Sequence, residues 1–268
     1  MSDPLGKDRA RRLARLAEAK VRNEEGAMLL DSAALVAEAV EQDLLIELFH
    51  RPGENEELVR RAAARGIRVT PAADEVLRRL VTVETSAGLA AVARLPRPAD
   101  AAALLARPGI LAVHLDGIAD PGNLGAIARS AAAFDVGLLM ISPGSADPWS
   151  PKAMRASAGA LLRLPVARLS LGDLPASLLR GLEIRRAVAR GGADPRDLTR
   201  PARLLLWMGN EAQGPRDQAP GAEIRDVTIV TSSRVESLNV AAAAAILLQM
   251  AADPRGGTAG VPGLSGPG

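Results

Sequence analysis

The sequence predicts an α/β fold in two parts, on three observations. Short apolar, strand-like runs alternate with segments of helical period along most of the 268 residues. A proline-marked stretch, Pro96-Arg97-Pro98, interrupts that alternation. Beyond it the strand-like runs have the character of parallel strands covered on both faces. The expected organisation is a small α/β domain over residues 1–95, a linker over 96–107 and a mostly parallel α/β domain over 108–252. A Gly/Pro/Ser-rich tail over 253–268 has the composition of disorder.

Composition narrows the function classes. A chain that is 48% hydrophobic buries a sizeable core. Its alanine-rich runs are broken by charge, glycine and proline, so no apolar span of membrane length is expected, no secretory leader is evident, and the cytoplasm is the expected location. There is no cysteine, which excludes disulfides, thiolate nucleophiles and cysteine-ligated metals. His50 and His114 are the two imidazoles, so no metal site is expected. The formal net charge is only +2, but all cations except Lys7, Lys20 and Lys152 are arginine, which supplies planar donors suited to phosphate. Trp149, Trp207, Phe49 and Phe134 are the only aromatics, too few for a platform that stacks several bases.

Residues 7–22 read as a basic helix carrying Arg9, Arg11, Arg12, Arg15, Lys20 and Arg22. Such a run is either a solvated face or an RNA contact. One-signed and close to a terminus, it is taken as RNA contact, with Arg9 and Arg12 as the named candidates. An amphipathic helix follows Asp31, with Leu35, Val36, Ala39 and Val40 on one face. Then come a strand over 44–49, a helix opening at Asn55, a short strand over 67–69, a helix over 72–80 and a strand over 89–93.

In the second part the most informative stretch is residues 116–142. Asp120-Pro121-Gly122 is a turn signal, and Asn123 is placed as the N-cap of a helix starting at Leu124. Leu124, Ile127, Ala131 and Phe134 share its buried stripe, while Arg129 projects from an opposite face of Gly125, Ala126 and Ala133. That face is too small and apolar for ordinary solvation, so something is expected to pack against it. Strands are expected over 111–115, 138–141, 184–189, 204–208 and 227–231. Loops at the carboxyl ends of parallel strands build ligand sites, and three carry glycine or polar groups: Arg190-Gly191-Gly192, Gly209-Asn210-Glu211 and residues 231–237. Spacing excludes a dinucleotide fingerprint, because the third glycine of GxGxxG is missing after Gly122 and Gly125. Ser150-Pro151 opens a small-residue helix on which Lys152 and Arg155 occupy neighbouring turns, either as a surface pair or as a phosphate clamp; RNA contact is the expectation. The final helix, from Leu238 to about Ala252, is apolar on every side and is expected to be tucked into the fold or covered by a partner.

Three ordered stretches resemble one family. Asn-Leu-Gly-Ala-Ile-Ala-Arg over 123–129, Met-Gly-Asn-Glu-Ala-Gln-Gly over 208–214 and Glu-Ser-Leu-Asn-Val-Ala-Ala-Ala-Ala-Ala-Ile over 236–246 are similar to the motifs of the SpoU/TrmH class of SPOUT RNA methyltransferases. The resemblance implies an RNA-binding amino-terminal domain, a SPOUT domain whose end threads a trefoil knot, and a homodimer. It implies S-adenosylmethionine as cofactor and an RNA ribose 2′-hydroxyl as acceptor, ribosomal RNA before tRNA. Arg129 is the expected catalytic residue, with Asn123, Glu211, Ser237 and Asn239 orienting it and the ribose. The cofactor is expected against Ala189, Gly191, Gly209, Ile229 and Leu238. The chain has Ile229-Val230-Thr231 where the family usually has Ile-Pro, a departure that bears on cofactor affinity. Two other readings are an RNA-binding assembly factor that kept the fold but lost turnover, and a SPOUT enzyme that methylates a base.

Overall fold

The computed structural model describes residues 6–80, 88–197, 201–210, 217–219, 221–232 and 237–252. The first part contains α1 (Lys7–Ala14), α2 (Ala19–Glu25), β1 (Ala27–Leu30), α3 (Ala33–Glu41), β2 (Leu45–His50), α4 (Glu56–Ala64), β3 (Arg68–Pro71), α5 (Asp74–Leu80) and β4 (Leu89–Arg94). Its strands form one sheet in the order β1-β4-β2-β3, with β4 antiparallel to both neighbours and β2 parallel to β3. The expected α3 face is the buried one: Leu35, Val36, Ala39 and Val40 all point inward, and Ser32 caps the helix through the Leu35 N–H.

The basic run is not one helix. It breaks after α1 into a 3-10 turn over Arg15–Ala17, and Glu18 is extended before α2 begins. The cause lies in Arg22, which is buried and donates to the carbonyls of Leu16 and Ala17 that the break leaves open. Its guanidinium also pairs with Asp147 of the second part. β1 was missed, since four apolar residues are too short a run to separate from a helical segment by period.

After α6 (Ala101–Leu105), a short helix inside the expected linker, come β5 (Leu111–Asp116), α7 (Pro121–Ala133), β6 (Leu138–Ile141), α8 (Pro151–Ala156), α9 (Ala160–Arg163), β7 (Val166–Arg168), α10 (Ala176–Leu179), β8 (Glu183–Ala187), β9 (Leu204–Gly209), β10 (Glu223–Val227) and α11 (Val240–Ala252). The six strands pair in the order β10-β8-β9-β5-β6-β7, every pair parallel. Alternation along β5 divides the core. Leu111, Val113 and Leu115 face the cluster containing α7, α8 and α11, whereas Ala112 faces the one containing α6 and α10. The first cluster runs without a break into the face of the four-stranded sheet that carries Met28, Leu30 and Leu48.

Three expectations move. Asp120, not Asn123, caps α7, accepting the Asn123 N–H at 2.9 Å. Pro121 then takes the first helical position, where its missing N–H costs nothing. The last strand lies at Glu223–Val227 rather than over 227–231, and its edge position, with β8 as its one strand neighbour and a single bridge to Ala193 at its end, explains why it looked like a loop. An edge strand keeps polar side chains, and Glu223, Arg225 and Asp226 are three of its five residues. β7, a three-residue edge strand, was not anticipated. Finally, α11 is buried along Val240, Ala244, Leu247, Leu248 and Ala251 only; Ala242 and Gln249 are exposed.

Candidate functional site

The small-residue face of α7 finds its cover in its own chain. A Cβ on Gly125 would lie 2.6 Å from the Ala156 Cβ and 2.9 Å from the Ser157 N, so the absent side chain is what lets α8 approach. Something is expected to pack against this face, and at Gly125 it is α8 of the same chain. Arg129, one turn on, is exposed and has no carboxylate partner among the described residues. It borders a hollow of about 700 Å³ shared with Asp135, Ser157 and Arg163.

A second cavity, of about 240 Å³, opens where the carboxyl ends of β8, β9 and β10 meet the start of α11. Ala189, Ile229 and Leu238 line it as expected, and so does Ser237. Asn210 and Thr231, from two of the loops the sequence marks as ligand-site candidates, also line it, as does Val188, which the sequence did not single out. Gly209 directly precedes Asn210 but does not itself line the wall. Gly191 is also absent from it. With φ +83 it serves a turn, and the adjoining Gly192 backs onto Val227, where a Cβ would lie 2.6 Å from the backbone carbon. The Gly192 N–H donates to Thr228 Oγ1 at 2.9 Å, so these glycines bring the loop after β8 against the end of β10 rather than against a ligand. Val230, at the position where the family usually has proline, is 73% exposed and is not on the cavity wall.

Two expected residues meet directly. Asn239 Nδ2 donates to Asn123 Oδ1 at 3.1 Å, while Asn239 Oδ1 accepts the Ala241 N–H at 2.9 Å. One side chain thus both caps the final helix and ties it to the first turn of α7. Lys152 Nζ is 2.6 Å from Asp120 Oδ2. That bond, with the Asn123 N–H, holds the Asp120 carboxyl below its ordinary range. Arg155 pairs with buried Asp31 at 2.7 Å and so joins the two sheets instead of standing free. Arg9 is likewise committed: it pairs with Glu47, which also accepts from Thr70 Oγ1 at 2.9 Å, and lies 5.5 Å from the Phe49 ring centroid. Its partner is 38 residues away, which no local pattern shows. Arg12 is exposed, with no carboxylate partner among the described residues. Glu211 lies outside the described residues, as do the tail and the segments 211–216 and 233–236.

A wholly parallel sheet with a cavity at its carboxyl edge, closed by the last helix, defines an α/β domain of ligand-binding type, with an exposed arginine beside a separate hollow. Residues 110–249 match the SpoU rRNA Methylase family, to which the chain belongs. An uncharacterized tRNA/rRNA methyltransferase of Synechocystis sp. is 29% identical over 250 residues, covering 89% of this chain and 88% of that one. The 23S rRNA (guanosine(2553)-2′-O)-methyltransferase RlmP of Bacillus subtilis is 30% identical over 186 residues, 68% of this chain and 72% of its own. Among solved structures, the SpoU methyltransferase AviRb from Streptomyces viridochromogenes in complex with AdoMet superposes with a TM-score of 0.80 at 25% identity, covering 92% of this chain and 97% of that one.

Proposed function

We propose that the chain methylates a ribose 2′-hydroxyl of ribosomal RNA, with Arg129 of one subunit serving the cofactor cavity of a second. Family membership carries the S-adenosylmethionine-dependent RNA methyltransferase activity. The cavity suits that cofactor: Ala189, Ile229, Leu238 and their neighbours make an apolar wall, and Asn210, Thr231 and Ser237 supply the few polar groups that fix orientation. When bound, S-adenosylmethionine supplies an electrophilic methyl group on a sulfonium.

The residues of the chain must align the acceptor oxygen and hold the negative charge that grows on it. Arg129 suits the second task. A guanidinium stays protonated throughout the physiological range, so its role is electrostatic and orienting rather than that of a base. The Asn123–Asn239 bond keeps α7, which carries Arg129, in register with α11, which walls the cavity. Arg12 and Lys152 are the RNA contacts this reading favours. Arg12 is unpaired among the described residues, and Lys152 has only an exposed carboxylate to give up. Arg9 and Arg155 hold the fold together instead.

The observation that carries the reading is Arg129, exposed beside α8 and without a carboxylate partner among the described residues, on a helix whose Leu124, Gly125, Ile127, Ala128 and Ala131 are buried and whose start is capped by Asp120. The test is transfer of labelled methyl to ribosomal RNA and to tRNA, with 2′-O-methylated positions mapped. Label in the ribose of ribosomal RNA is expected, and Arg129→Ala lowers the rate by about a hundredfold or more with cofactor binding retained. Cofactor binding without transfer to any RNA would favour the assembly factor, and label in a base would favour the base-methylating reading.

A further inference from the structure

Two guanidinium groups share the hollow beside α7. Arg129 reaches it from α7, and Arg163 reaches it from the last position of α9. Between them the wall is made largely of short side chains, Ala132, Ala133, Ala158 and Ala160. Side chains this short leave the space open, and at about 700 Å³ it has the size of a ligand cleft. Ala158 at φ +48 and Gly159 at φ +88 turn the chain from α8 into α9. A Cβ on Gly159 would lie 3.2 Å from the Glu38 Cβ, tighter than an ordinary contact, so the bare backbone lets α9 sit close against α3. Arg163, one turn further on, comes to rest beside Glu38, with its Nε 3.4 Å from Oε1.

That contact engages only the Nε edge of Arg163, whose side chain is 53% exposed. Its two terminal nitrogens make no hydrogen bond to any described residue. Charge in the hollow does not balance either. Against two guanidinium groups the wall carries one carboxylate, Asp135, which pairs with neither of them, and Glu38 is not on the wall. The Ser157 hydroxyl is spent on the Met154 carbonyl at 2.8 Å. Among the described residues no aromatic side chain lines the wall, so the hollow offers a base nothing to stack on. An excess of cation, planar donors left over and no platform for a base together fit a phosphodiester.

We propose that Arg163 binds a backbone phosphate of the RNA strand that presents its ribose to Arg129. Such a contact sets the register of the strand and reads no base. The two arginines of the hollow then divide the work by when their charge is needed. Arg129 meets the charge that grows on the acceptor oxygen in the transition state, whereas Arg163 meets a phosphate charge that is present throughout. An interaction equally strong in ground and transition states lowers KM and leaves kcat alone. The inference rests on the reading of Arg129 as the group that serves methyl transfer to RNA.

The test is filter binding of an unmodified ribosomal RNA transcript to the full chain and its variants over a series of salt concentrations, with methyl-transfer kinetics and light scattering alongside. Arg163→Ala weakens RNA binding about tenfold, the loss expected for one charge-assisted contact. The slope of log affinity against log salt falls by about one. KM for RNA rises in step, while kcat and the affinity for S-adenosylmethionine stay within about twofold of the parent's. Arg163→Lys keeps the charge and with it the parental salt slope. Glu38→Gln removes the carboxylate beside Nε and leaves RNA affinity where it was. Parental RNA affinity in Arg163→Ala overturns the phosphate contact, and so does an equal loss in Glu38→Gln, which would mean that Arg163 acts by holding α9 to α3. Weaker self-association of Arg163→Ala with RNA affinity unchanged would give the hollow to a second copy of the chain and overturn it too. Failure of the parent to bind the transcript overturns the RNA reading instead. Parental kcat in Arg129→Ala overturns the role given to Arg129 and leaves the affinity measured for Arg163→Ala standing.

Discussion

Among the arginines, composition alone does not separate the spent from the available, and Arg9 and Arg12 show why. The two lie in one basic run, yet Arg9 is folded onto Glu47 and Phe49 while Arg12 faces solvent. The difference comes from β2, distant in sequence and adjacent in space. It yields opposite predictions for two chemically identical substitutions. Arg9→Ala leaves the Glu47 carboxylate, 4% exposed, with Thr70 as its one side-chain donor among the described residues, and lowers stability by about 1–3 kcal/mol, toward the low end because Arg9 is itself a third exposed. Its affinity for RNA is unchanged. Arg12→Ala leaves the melting temperature where it was and weakens RNA binding, with a shallower dependence of affinity on salt. Thermal melts and filter binding at two salt concentrations measure both; an RNA defect in Arg9→Ala without loss of stability would reverse the assignment.

Elements were legible where one pattern acted alone. The α3 face, the β6 limits and the N-cap at Ser150 appear in the structure where the sequence puts them. Legibility failed where two signals competed or where the sheet ended. At α7 both Asp120 and Asn123 are competent caps, and Pro121 decides for Asp120. At β10 the edge position removes the apolar pattern that marks an inner strand. The site divides in the same way: Ala189, Ile229, Leu238 and Ser237 gather at one cavity, whereas Asn210 needed the β9–β5 register to place it. The junction of α7 with α8 is the most exacting of these packings. Gly125→Val puts side-chain carbons against the Ala153 carbonyl and the Ser157 N, which belong to a helix backbone and cannot rotate aside. A destabilisation of about 1–3 kcal/mol is expected from this overpacking, and Ala126→Val, one position round the half-buried face, is the control that should cost less. Equal melting temperatures for the two variants would show that the α7–α8 contact yields more easily than its geometry implies.

Over the whole molecule the two sheets are not loosely strung parts. They share one apolar cluster, and ion pairs between Arg22 and Asp147 and between Arg155 and Asp31 cross between them, with Arg22 and Asp31 almost fully buried. Orientation of the amino-terminal part is therefore fixed within the chain, and under the proposed function completion of the site falls to a second copy. Within one chain, Arg129 borders a different hollow from the one lined by Ser237 and Leu238. The final helix leaves Ala242 and Gln249 exposed beside half-buried Ala245 and Ile246. A homodimer that covers this strip and brings Arg129 to the neighbouring cavity accounts for both facts. Such a composite site has a numerical signature. Arg129→Ala chains lack the charge but keep the cavity, and Leu238→Glu chains lose the cavity but keep the arginine. Mixed in equal amounts with free exchange, half the dimers are hybrid, and each hybrid restores one of its two sites. Activity should return to about one quarter of the parent's from two nearly inactive pools, as two-fold symmetry requires. If each subunit used its own arginine, no hybrid would hold a complete site and the mixture would stay as inactive as its components. Light scattering that shows a monomer at assay concentration would rule out the shared site as well.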